Sequence, residues 1–190
     1  IVAPDTKASL MLSPAANSLS LNLRSEALEY AGLIMADTKV EVNNDNDSLA
    51  LWVNSEAVYM GSRMLMPGFS AAGGARENRI TLAAGFGSPA DTLSGMLGMS
   101  AKFRRDEQSR RRSIHINITP SYLANKTQLW RLYARGIDID SSRINVHNLV
   151  IVQDSQRLVV NGVASRSRED SIRLTLDNFD ISPLSALLGR

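Results

Sequence analysis

Period-two alternation of apolar and polar residues is the feature that most narrows what this chain can fold into. It is densest between Gln128 and Leu188. Strict alternation puts Ile144, Val146, Asn148, Val150 and Val152 on one side of an extended strand. Arg143, Asn145, His147, Leu149 and Ile151 then fall on the other. A second run, Arg157 to Val163, follows the polar cluster Gln153-Asp154-Ser155-Gln156. A third sets Ile172, Leu174 and Leu176 against Arg173 and Thr175. Successive side chains of a strand point to opposite faces, so these runs specify a sheet that is apolar on one face only.

The same period recurs upstream. A lead strand is expected over Ala8 to Leu12, then Leu19, Leu21 and Leu23 alternate with Ser, Asn and Arg. Glu26 to Met35 begins like a helix but ends in Tyr30-Ala31-Gly32-Leu33-Ile34-Met35, which reads as a strand kinked at Gly32. Strands carrying Val40 and Val42, and Leu49, Leu51 and Val53, flank Asn43 to Asp47. Asn and Asp bond their own backbone in turns, so this is a hairpin signal. Glu56 to Met66 is strand-like, and the Gly- and Ala-rich Pro67 to Asn78 reads as a loop. Arg79 to Phe86 carries Ile80 and Leu82 inward, and a turn is expected over Gly87 to Asp91. Leu93 to Phe103 carries Leu97 and Met99, and Ser113 to Thr119 carries Ile114, Ile116 and Ile118. Pro120 to Lys126 reads as a connection. Only Ser182 to Leu188, with Ser at the cap, Pro first and Gly after, reads as a helical turn.

The expected fold is therefore all-β: an antiparallel meander of about a dozen strands in one domain. Its inner face carries the leucines, isoleucines and valines just named, with Ile144, Val146, Val150, Val152, Ile172, Leu174 and Leu176 as the last of them. That face is large for a soluble monomer, which seldom exposes more than a few hundred Å² of contiguous apolar surface. Three covers are open: closure into a β-sandwich or barrel, another protein, or lipid acyl chains. Aromatics are only 5 % of 190 residues, and aromatics supply much of the volume of compact cores. The aliphatic bias points weakly to a groove.

Catalytic and metal-binding patterns find little support. Neither His115 nor His147 has a Cys, Glu, Asp or second His at ligand spacing along the chain, so both read as surface histidines on the polar face. No G-x-S-x-G elbow or Walker lysine occurs. Asn43 to Ser48 lacks the Gly and Glu of a calcium loop, and Asp138-Ile139-Asp140 reads as a strand end before Ser141-Ser142. There is no cysteine. The run Arg104 to Arg112 could meet phosphates, but Asp106 and Glu107 dilute it and no aromatics interleave for base stacking. It reads as a solvated hairpin tip, and a net charge of +2 argues against a nucleic-acid partner. No cofactor is expected. No apolar run approaches the ~20 residues of a membrane-spanning helix. The chain reads as part of something longer.

The order Leu129-Trp130-Arg131-Leu132, then Gly136-Ile137-Asp138-Ile139-Asp140-Ser141-Ser142-Arg143-Ile144-Asn145-Val146-His147-Asn148-Leu149-Val150-Ile151, then Gln156 to Gly162, then Ser171 to Leu188, resembles the TamB and AsmA-like family of bacterial envelope proteins. Leu49 to Tyr59 and the Pro67-Gly68-Phe69 segment resemble it more loosely. The resemblance implies a periplasmic body anchored in the inner membrane by a segment outside this chain. It implies an elongated open β-groove, no enzymatic activity, and transfer of phospholipid between the two membranes. It also implies neighbouring segments of the same architecture and, for TamB itself, a role in outer-membrane protein assembly with a barrel partner, TamA. The alternatives are a chaperone-like module for outer-membrane proteins and a structural or carbohydrate-binding β-sandwich.

Overall fold

A computed structural model of the chain describes residues 2–45, 47–88, 93–105 and 112–178. These form thirteen strands: β1 (Lys7–Ser13), β2 (Ser18–Tyr30), β3 (Leu33–Asp45), β4 (Ser48–Met60), β5 (Arg63–Arg76), β6 (Arg79–Phe86), β7 (Leu93–Arg105), β8 (Arg112–Asn125), β9 (Leu129–Tyr133), β10 (Gly136–Asp140), β11 (Arg143–Gln153), β12 (Gln156–Ser165) and β13 (Ile172–Asp177). A single 3-10 turn, Pro14–Ala16, joins β1 to β2. All strands lie in one antiparallel sheet in chain order, with β9 and β10 following one another between β8 and β11. The helical turn expected over Ser182 to Leu188 lies outside the described residues.

Several strands run further than their sequence pattern. Gly32 is not a kink: Ala31 and Gly32, both at positive φ, make the hairpin turn between β2 and β3. Glu56 to Met66 is broken by the turn at Gly61 into the end of β4 and the start of β5. Pro67 to Arg76 is strand, paired with β4 on one side and, from Ser70 on, with β6 on the other. Pro120 to Asn125 continues β8 past a bulge. Most of the basic tip, residues 106–111, lies outside the described residues. No described helix is long and apolar enough to cross a membrane.

Among the described residues the sheet does not close. Its order ends at β1 on one side and β13 on the other, so the closed sandwich is not formed. Ala57, Val58, Val146 and Val150 are the buried apolar residues, which is no core for a chain this size. The accessible surface, 13500 Å², is well above the about 8,900 Å² expected of a compact protein of this mass.

The sheet is nevertheless curled. A line of irregular residues crosses it from strand to strand: Asp37 in β3, Gly68 in β5, Gly87 after β6 and Asn148 in β11 all have positive φ. Between them the ladder skips Glu26 opposite Asp37, Glu56 opposite Gly68, and Leu97 beside Pro120. Irregularities of this kind bend a strand and increase its twist. Aligned across neighbours, they form one crease. At Gly68, φ is +58, a conformation a side chain resists.

Candidate functional site

Ladder registers fix which side chains share the inner face. Leu21 stands opposite Val42, Val42 opposite Leu51, Leu51 opposite Gly73 and Gly73 opposite Leu82. The row continues through Met99 and Ile118. A parallel row runs from Ala101 through Ile116, Ile137 and Val146 to Gly162 and Ile172. Leu19, Leu23, Val40, Leu49, Val53, Ile80, Leu97, Ile114, Ile144, Leu174 and Leu176 stand on the same face. In the wall these registers trace, the ionisable residues on that face are Arg105 and Arg112, paired at the lip.

Val150 and Val152 are the exceptions to the expected lining. Asn148 adopts φ 52, and the β11–β12 ladder slips there, from Val146↔Gly162 to Leu149↔Val160. The inward phase therefore moves by one residue. Leu149 and Ile151 face in with Leu132, Leu158 and Val160. Val150 turns outward between Tyr133 and Val159, and Val152 between Arg131 and Arg157.

The crease is lined by hydroxyls on the same inner face. Thr6, Ser25, Thr38 and Ser55 lie in register on β1's lead and β2 to β4. Bending a strand frees carbonyls from the ladder, and the Thr6, Ser25 and Ser55 hydroxyls take them up. The buried Thr38 Oγ1, by contrast, makes no hydrogen bond among the described residues. Ser25 donates to the Ala27 carbonyl at 2.8 Å, and Ser55 shares its one hydroxyl proton between the carbonyls of Ala36 (2.7 Å) and Ala57 (2.9 Å). Thr6 donates to the Ala3 carbonyl at 2.8 Å. On β8, Ser121 accepts from the Gly98 amide and donates to the Thr119 carbonyl.

Beside the crease lies an apolar cavity of about 460 Å³. Phe69, Phe86, Leu97, Trp130, Leu132 and Ile151 contribute to its walls. In a flat sheet β5 and β11 would stand ~24 Å apart, five strand spacings. Residues of both line one cavity, so the sheet wraps around this face. The periodicity did not single out Phe69, Trp130 or Ile151. Phe69 lies in a Gly- and Ala-rich stretch that reads as a loop, and strict alternation puts Ile151 on the opposite face from the one it occupies.

The outer face carries the polar half of the alternation, and a cluster that spacing concealed. Asp138 accepts from His115 Nδ1 at 2.6 Å and from His147 Nε2 at 2.7 Å. Both histidines donate, which fixes those nitrogens as the protonated ones. Gly136 leaves room for the His115 ring, which a Cβ there would strike at 2.6 Å. The two hydrogen bonds, that of His115 foremost, hold the Asp138 carboxyl below its ordinary range. Both imidazoles close on the carboxylate and leave no shared open position. Among the described residues no group of His, Cys, Asp and Glu has metal-site geometry.

No family model matches the chain, and neither a curated protein nor a solved structure matches it.

Proposed function

We propose that this chain is a non-enzymatic segment of a periplasmic lipid-transfer bridge of the TamB and AsmA-like kind, carrying phospholipid between inner and outer membranes along its groove. The observation that carries the reading is the inner face: an aliphatic track running across the strands, uncharged below its lip and open along its length. Burying a methylene group is worth ~0.8 kcal/mol, so a 16-carbon acyl chain gains roughly 12 kcal/mol on leaving water. A track of similar side chains at each strand spacing lets that chain slide with little change in free energy. The polar outer face keeps the segment in water. A second reading, a chaperone-like module for outer-membrane proteins, has its own support. β1 and β13 are exposed along their whole length and offer unpaired edges to an extended peptide.

Mass spectrometry of lipid extracted from the purified chain separates the two. The groove reading expects near-stoichiometric phospholipid, and expects Ile116→Glu to reduce it several-fold. Ile116 is half-buried, so this change should lower stability by about 1–2 kcal/mol and leave the sheet folded. Absence of lipid, with saturable binding of an unfolded outer-membrane strand peptide, favours the chaperone. Global unfolding of Ile116→Glu would mean that the face is a dry core.

A further inference from the structure

One stretch of the lip sets cations and apolar side chains back to back. On the outer face Arg76 stands opposite Arg79, Arg79 opposite Lys102, and Lys102 opposite His115. On the inner face of the same strand ends stand Leu49, Ile80 and Phe103, at 40%, 43% and 41% exposure. Arg76, Arg79 and Lys102 share a surface depression of about 540 Å³, in which Glu77 is the acidic residue. Like charges directly opposite one another destabilise a sheet, so this row carries a cost that an anion would relieve. Two acidic residues stand along the row, each two strand steps from its cations: Asp45, past Ser48 from Arg76, and Asp138, past His115 from Lys102. Asp138 already takes hydrogen bonds from both histidines.

We infer that the Arg76–Arg79–Lys102 row binds the phosphate of an anionic phospholipid whose acyl chains pass over Leu49, Ile80 and Phe103 into the groove. This rests on the acyl-groove reading and adds a headgroup to it. Arginine suits the task, because its guanidinium matches phosphate oxygens in a two-pronged geometry. A second basic row, Lys7–Arg24–Lys39, lies on the same face but within the wall. Glu41 is one step along from Lys39, and no lip lies beside it, which makes this row an internal control.

The test is uptake by the full chain of phosphatidylglycerol and phosphatidylcholine bearing the same labelled acyl chains, at low salt and again at high salt. The expected result is a preference for phosphatidylglycerol that Arg76→Gln with Arg79→Gln lowers by about tenfold and that salt weakens. Arg24→Gln with Lys39→Gln should keep it. Because the readout is a ratio, a partial loss of folded protein cancels. Uptake of both lipids without preference, or equal loss in the control pair, overturns the headgroup site and leaves the groove standing. Shifts of the Arg79 side-chain NMR signals with inorganic phosphate, but no headgroup preference, overturn it in favour of a free anion. No uptake of either lipid removes the groove reading and this inference with it.

Discussion

At the scale of single residues, the polar groups that matter hold backbone in place. Ser25, Ser55 and Ser121 are buried on a face otherwise given to hydrocarbon, and each returns its hydroxyl to a carbonyl near the crease. Asp140 does comparable work at the β10–β11 turn. Its carboxylate accepts from the Ser142 hydroxyl and amide and from the Arg143 amide and Nε. These bonds, that of the Ser142 hydroxyl foremost, lower its pKa to about 2. The folded value lies below the unfolded one, ~3.9, so the turn's contribution is present above that pH and lost as pH falls through about 2. Carbon-13 NMR of the carboxyl should titrate near pH 2, and Ser142→Ala should raise the midpoint. An unmoved midpoint in that variant would show that the hydroxyl is not the cause.

At the scale of elements, the phase slip at Asn148 decides which residues of β11 face the groove. Ile151→Glu places a charge beside Leu132 and Leu158 and should lower lipid uptake several-fold. Val152→Glu places it between Arg131 and Arg157 and should leave uptake unchanged. Uptake measured on the two variants with matched circular dichroism checks this, and the reverse order would mean the register is wrong. The slip also shows what the sequence made legible. Alternation from Leu19 to Val53 and from Ile80 to Ile118 placed its residues correctly, because regular strands keep period two. The same logic failed wherever the crease interrupts it. Asn148 continues the alternation by letter while its backbone turns left-handed. Gly61 and Gly68 gave one signal for a turn and a bend. The His115–Asp138–His147 cluster joins three strands, and register, which spacing along the chain does not reveal, brings its members together.

Seen whole, the described residues form one sheet with no second layer among them. A chain that buries so few side chains is stabilised by its long ladders and by cross-strand contacts on the inner face. Hydrocarbon lying on that face adds apolar contact that the protein alone lacks. Lipid should therefore raise the unfolding temperature of this chain, by linkage between binding and folding.

The two tryptophans report separately on the two faces of the sheet. Trp130 lines the apolar cavity. Trp52, opposite Glu41 and Ala72, faces outward and is 42% exposed. Phospholipid brominated along its acyl chains quenches indole fluorescence on contact, so each face can be read separately in the variants Trp52→Phe and Trp130→Phe. Acyl chains in the groove should give strong, saturable quenching of Trp130 and little of Trp52. Equal quenching of both, or quenching of Trp52 alone, would contradict the claim that acyl chains occupy the groove.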